Sequence, residues 1–344
     1  MTSFDPNLPG VATGGYFALP FTREQAEIVL ISIPWDVTTS YRPGTHKGPG
    51  AIIDASTQVD LFNPRVPRAW NIPIATLPVH EELPILNRSA RKMAEEIIES
   101  WEEGKDPRET GLGDLLDQVN QACSRMNRIV YLQTSEQLRH GKTVGVIGGE
   151  HSVPLGFLQA LGEHYSSFGI LHIDAHADLR KAYEGFTFSH ASIMFNALET
   201  IPAITSLTQV GVRDYCQEEH DRICSDTRIA LFSDESLQEG LYEGLTWREQ
   251  CQRIMESLPD HVYISMDIDG LSPDLCPNTG TPVPGGIEFQ QVDYLLYLLA
   301  SSNKKIIGFD LCEVAPGEND PWDAIVGARL LHKICCYCYL NNKK

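Results

Sequence analysis

No stretch of this 344-residue chain approaches the roughly 18 consecutive apolar residues that a bilayer-spanning helix requires, so no transmembrane helix is expected. Residues 1–15 lack a basic stretch followed by an apolar core, so no secretory leader is expected, and the expected location is the cytoplasm. Positive charge is scarce. Against 46 Asp and Glu stand 27 Lys and Arg, a formal net charge of −19. Nucleic-acid partners need clustered Lys and Arg and are not expected. The same imbalance suits a cationic substrate drawn to an acidic mouth, or solubility alone. Repeats, low-complexity tracts and linkers are missing as well, and the length fits one large α/β domain. Cysteine is present, but its nine copies are odd in number and scattered, unlike a secreted disulfide framework, so reduced thiols are expected. Cys335, Cys336 and Cys338 lie in an apolar helical stretch without a second paired cluster at zinc-like spacing, and read as buried small hydrophobes.

What the chain does have is an alternation of short apolar runs and helical segments. Strands are expected at 27–33, 71–76, 143–147, 169–173, 206–212, 261–266 and 305–310. Helices are expected at 87–103, 114–140 with an interruption near 133–135, 154–165, 190–198, 247–258, 288–301 and 322–340. Residues 105–113, with one Pro and two Gly, break the first two helices apart. Such alternation predicts a mostly parallel sheet with helices on both faces. The segment at about 87–140 is expected as a helical insert within a single domain spanning 1–344.

Three acidic and histidine clusters each follow an apolar run: Gly148-Gly149-Glu150-His151, Asp174-Ala175-His176-Ala177-Asp178 and Ser265-Met266-Asp267-Ile268-Asp269. In parallel α/β sheets, ligands gather at the carboxyl ends of strands, where all three clusters fall. Carboxylates at a buried rim are costly unless paired, and divalent cations are suitable partners. Alternate residues of an extended segment share a face, so Asp174, His176 and Asp178 would point one way, as would Asp267 and Asp269. Two glycines before His151 allow close approach of the backbone. Two imidazoles and four carboxylates suit two ions better than one closed structural site. Ligands of this kind without thiolate favour Mn²⁺, Fe²⁺, Co²⁺, Ni²⁺ or Zn²⁺ over Mg²⁺ or Ca²⁺. Two such ions about 3.5–4 Å apart can share a water and lower its pKa toward neutrality. His172, by parity on the Asp174 side but deeper, reads as a core or supporting histidine.

These clusters resemble the ureohydrolase family, which includes arginase, agmatinase and formiminoglutamase. Further motifs carry the resemblance: Gly280-Thr281-Pro282-Val283-Pro284-Gly285-Gly286, Asp310-Leu311-Cys312-Glu313-Val314-Ala315-Pro316, and Thr39-Ser40-Tyr41-Arg42-Pro43-Gly44 followed by Gly48-Pro49. The likeness covers nearly the whole chain outside 87–140 and is nearest to agmatinase. It implies an arginase-like three-layer αβα sandwich and two divalent ions, Mn²⁺ with Ni²⁺ as the alternative. His151, Asp174, Asp178 and Asp267 would hold one ion, and His176, Asp174, Asp267 and Asp269 the other, with Asp174 and Asp267 bridging. The resemblance also implies Glu313 as the acid that grips the guanidinium and His190 as the proton shuttle, with Asp178 as a second proton donor. A homo-oligomer, trimer or hexamer, is implied too.

The expected activity is hydrolysis of a C–N bond in a small cationic guanidino or amidine substrate, giving urea and an amine from a guanidino compound. Asp214 matches a family position for the substrate's amino end, whereas Cys216 stands where arginases carry a second acid. Ala191 follows His190 where arginases and agmatinases carry glycine. Free guanidine and formimino compounds therefore stand beside agmatine-like substrates, with arginine less favoured. The non-enzymatic alternative is a silent family member acting as scaffold or sensor.

Overall fold

The computed structural model describes residues 6–7 and 14–344. Its strands are β1 (Ile28–Ile33), β2 (Ile74–Leu77), β3 (Thr143–Gly148), β4 (Phe168–Ile173), β5 (Ile204–Val210), β6 (Ile229–Phe232), β7 (His261–Asp267) and β8 (Lys305–Cys312). They form one sheet in the order β2-β1-β3-β8-β7-β4-β5-β6, and every pairing is parallel. The α-helices are α1 (Gly48–Ser56), α2 (Glu82–Glu102), α3 (Gly113–Arg139), α4 (Leu155–His164), α5 (Ile193–Thr200), α6 (Gln217–Ser225), α7 (Asp234–Tyr242), α8 (Trp247–Glu256), α9 (Phe289–Ser301) and α10 (Trp322–Asn342).

Strand sequence explains the layering. β1 is Ile-Val-Leu-Ile-Ser-Ile and buried throughout, as a strand covered on both faces must be. Ile28 and Leu30 join one apolar cluster with Ile52 of α1, Leu295 of α9 and Leu331 of α10. Val29, Ile31 and Ile33 enter the opposite cluster with Ile97 of α2, Val130 of α3 and Leu158 of α4. The result is the expected three-layer sandwich. Among the described residues no helix is long and apolar enough to cross a membrane.

The two helices at 87–140 differ from expectation in detail. α2 begins at Glu82, because Pro84 falls in its first turn, where the missing N–H has no helical partner to lose. α3 runs unbroken through 133–135, since buried Thr134 returns its hydroxyl to the Val130 carbonyl at 2.8 Å and needs no other partner. Val119, Met126 and Val130 of α3 share one apolar cluster with Val144 of β3 and Phe157 of α4.

Candidate metal centre and substrate cleft

The four central strands β3, β8, β7 and β4 lie side by side and deliver the acidic clusters to one edge of the sheet. His151 follows β3, Glu313 follows β8, Asp267 ends β7, and Asp174 follows β4. Gly149 makes the first of these turns feasible, since a Cβ there would lie 2.0 Å from the Trp35 carbonyl oxygen.

The His151 imidazole is the hub of the first group. Its Nδ1 lies 2.9 Å from an oxygen of Asp174, 3.1 Å from Asp178 and 3.3 Å from Asp267. Its Nε2 meets the Ser265 hydroxyl at 2.9 Å, which directs Nδ1 at the three carboxylates. The second group is centred on His176, whose Nδ1 lies 3.1 Å from Asp269 and 3.5 Å from Asp174. Asp174 therefore belongs to both. These four aspartates are all buried, and none is paired with Lys or Arg among the described residues. Burial, reinforced by the charges of Asp269 and Asp174, pushes the Asp267 carboxyl well above the usual range. Burial and the neighbouring Asp174 charge raise Asp178 to about 6. Crowded oxygens with imidazole nitrogens and no Lys or Arg partner fit divalent metal ions, and a metal charge would remove the repulsion.

Two of these positions are reached by routes that strand parity did not describe. β4 ends at Ile173, and Asp178 sits in irregular backbone at φ +55° rather than on an extended segment. Asp269 lies in a short 3₁₀ turn, where its N–H donates to Asp267 Oδ1 at 2.8 Å. Parity groups residues that the structure does bring together, while departures from extended backbone place these two.

A cleft of about 410 Å³ opens over the cluster, and His176, Asp178, Arg180, Tyr183, His190 and Asp214 line it. Burial, followed by the positive charge of His176, lowers His190 to about 4. Its Nδ1 faces the Thr38 hydroxyl at 3.4 Å, and that hydroxyl donates to Glu150 at 2.8 Å. Asp214 is exposed on the cleft wall. Glu313 lies behind the lining: its Oε1 accepts the His151 backbone N–H at 2.8 Å, and its Oε2 faces Gly280. Burial, then the charge of Glu150, pushes the Glu313 carboxyl well above the usual range.

A model of the Arginase family matches residues 26–336. The chain belongs to the arginase family. Across 296 residues it is 31% identical to the N(1)-aminopropylagmatine ureohydrolase of Thermus thermophilus, covering 85% of this chain and 84% of that protein. It is 29% identical to the agmatinase of Bacillus anthracis, covering 85% of each. The solved agmatine ureohydrolase of Thermoplasma volcanium superposes with a TM-score of 0.69 at 21% identity, over 94% of both chains, a likeness of fold.

As a family member the chain is a hydrolase acting on C–N bonds, related to enzymes of guanidino compounds. His172 takes the supporting place expected of it, whereas sequence reasoning assigned no role to Asp310, Glu150 or Arg213. His172 is fully buried, and its Nε2 lies 2.8 Å from Asp174 Oδ2. The Gln209 amide donates to His172 Nδ1 at 3.0 Å and to the Ala177 carbonyl at 2.8 Å, which fixes the ring. Asp310 lies 3.7 Å from His151 Nε2, behind the hub. Buried Glu150 is gripped by the hydroxyls of Thr38 and Ser152 and the N–H of Thr38. Burial raises it to about 7. A glutamate beside two glycines at a strand end was the available signal for it. Arg213 donates to the carbonyls of Gly211, Asp269, Gly270, Leu271 and Val283, tying three stretches of chain together around the site. No sequence pattern announces an arginine whose partners are all backbone.

Proposed function

We propose that this chain is a binuclear metal-dependent ureohydrolase that hydrolyses a guanidino compound to urea and an amine, agmatinase-like in its reaction and cytoplasmic in location. The observation that carries the reading is the shared Asp174 between two histidine-centred groups, one buried around His151 and one around His176 at the base of a cleft. His151, Asp174, Asp178 and Asp267 would hold one ion, and His176, Asp174, Asp267 and Asp269 the other. When bound, two such ions supply a hydroxide nucleophile near neutral pH and neutralise charge as the reaction proceeds. Mn²⁺ is the preferred metal of this reading, and Ni²⁺ its alternative. The nine cysteines are all free, seven of them buried, which supports a reducing compartment.

The protein's own groups then have separate tasks. Attack at the guanidinium carbon forms a C–O bond, and the C–N bond to the tail breaks as the leaving nitrogen gains a proton. His190 lines the cleft with its Nδ1 turned to Thr38, so its Nε2 is the ring atom free to carry that proton. Because the Thr38 hydroxyl donates to Glu150, it accepts from His190 Nδ1–H, which leaves Nε2 to take up a proton and pass it on. Glu313 supports the guanidinium through its free Oε2 while its Oε1 holds the His151 backbone. Asp214 faces the substrate's tail. The enzyme works as a homo-oligomer, trimer or hexamer.

Elemental analysis after loading with Mn²⁺ or Ni²⁺, beside a urea-release assay, tests the reading. Two ions per chain and metal-dependent urea are expected. One ion per chain, or urea from no guanidino compound, would overturn it. Asp267→Ala, removing a shared ligand, should lose both ions and activity, and two retained ions would contradict the bridge.

A further inference from the structure

Lys and Arg are outnumbered 27 to 46 by Asp and Glu, yet one cavity outside the metal cleft is walled by cations. It holds about 590 Å³ between α2 and the segment 34–47, and no residue lines both it and the cleft. Pro84, Asn87, Arg88, Arg91, Lys92 and Glu95 follow one another at helical spacing, so a single face of α2 makes one wall. Lys47 ends a 3₁₀ turn, Thr45–Lys47, on the other.

The acids of this lining are already engaged. Buried Asp36 accepts the Gly44 N–H at 2.9 Å and the Asn87 amide at 3.1 Å, and its carboxylate meets His46 Nδ1. Glu95 pairs with Arg91 at 3.0 Å. Three of the cations are unmatched: among the described residues, the side chains of Lys47, Arg88 and Lys92 make no hydrogen bond and no ion pair. Arg88 and Lys92 stand four apart on α2, where like charges repel, and Lys47 adds a third positive charge to the same concavity. Water satisfies a single surface cation, but three gathered in a hollow focus a positive potential that an anion relieves. A guanidinium beside two ammonium groups suits phosphate. Pro34, Pro43 and Pro84 supply apolar surface in the same cavity, whose volume is that of a small-molecule site. We infer that this cavity binds a phosphate monoester of nucleotide size, with the phosphate on Lys47, Arg88 and Lys92 and the organic body against the prolines. The site stands independently of the reaction proposed above.

Titration calorimetry of the metal-loaded protein with adenosine monophosphate, inorganic phosphate and adenosine tests it. One nucleotide per chain is expected, at least about tenfold tighter than phosphate or adenosine and weakened by added salt. Phosphate groups also meet bound metals, so the deciding comparison is the double variant Arg88→Ala/Lys92→Ala, which leaves the metal cleft untouched. It should bind the nucleotide roughly 10–100-fold more weakly, as loss of charged hydrogen-bond donors predicts, with metal content unchanged. Lys47→Ala, on the other wall, should weaken binding without altering α2, and the charge-conserving Arg88→Lys should keep most of the affinity. Nucleotide binding unchanged in the double variant and in Lys47→Ala, or absent from the wild type, would overturn the site. Adenosine binding as tightly as its monophosphate would remove the phosphate from the assignment, and inorganic phosphate binding as tightly would remove the ester.

Discussion

Asp178 and Glu313 hold their carboxyl groups from left-handed backbone, φ +55° and +61°. That conformation costs a residue with a Cβ about 1–2 kcal/mol, so the surrounding loops must enforce it. At Glu313 the bonds that do so are visible: its N–H donates to Gly149 and its carbonyl accepts from Thr279. Residue types at this scale were legible because a divalent site needs carboxylates and imidazoles, and those are rare at strand ends without reason. Most of their supports were not, because Glu150 and Asp310 owe their positions to contacts between distant segments, whereas strand parity with Asp174 made His172 readable. His190→Ala should keep two ions per chain while kcat falls roughly 100-fold, the usual worth of a positioned acid–base group. Elemental analysis beside steady-state rates checks it, and an unchanged kcat would leave His190 structural. Glu313→Gln keeps an acceptor for the His151 N–H but removes the charge. It should lower kcat/KM for guanidino substrates about 10–100-fold at full metal content. Loss of metal in that variant would make Glu313 a support of His151 instead.

Helices α2 and α3 brace both sides of the cleft mouth. From α2, Arg91 donates to the Thr39 carbonyl and Asn87 to Asp36, fixing the 36–44 segment that supplies Thr38. Trp101 at the end of α2 donates its indole N–H to the Glu184 carbonyl at 2.9 Å. Asn120 of α3 donates to the Gly185 carbonyl at 3.2 Å and accepts the Thr187 N–H at 2.8 Å. The loop so held carries Tyr183, against which Arg180 stacks. Asn120→Ala should therefore raise KM several-fold with kcat and metal content little changed, because it loosens a wall and leaves the floor. Kinetics on the metal-loaded enzyme read this out, and a fall in kcat alone would refute it. The long helices were legible from their apolar spacing. α1 was missed because Gly48-Pro49-Gly50 reads as a break, although Pro fits the first turn of a helix. α6, α7 and β6 were missed for want of a buried face: α6 is mostly polar, and β6 is a four-residue edge strand, half-buried throughout.

For the molecule as a whole, alternating strands and helices predicted the layers, but the strand order came only from the structure. Sequence periodicity says which face a residue takes and is silent about which strand lies beside which. The order matters because it places β3, β8, β7 and β4 adjacent, and with them the site. Global stability should carry a pH signature from a histidine far from that site. His332 of α10 is buried against the Phe17 ring, and burial lowers it to about 4, with the charge of Lys333 adding to the effect. In the unfolded chain a histidine titrates near 6.5. Above about pH 6.5 the ring is neutral in both states and has no pH-dependent effect. Between about 6.5 and 4 the unfolded state binds a proton that the folded state refuses, so stability falls by up to about 3 kcal/mol. His332→Gln removes that proton uptake. It should be less stable than the wild type at pH 7, where an unmatched buried amide is costly, and the deficit should shrink steadily as pH falls to 4.5. Denaturant unfolding of both proteins at pH 7, 5.5 and 4.5 measures the difference, in which titrations common to both cancel. A deficit independent of pH would mean that His332 takes up its proton in the folded protein and that α10 opens to allow it.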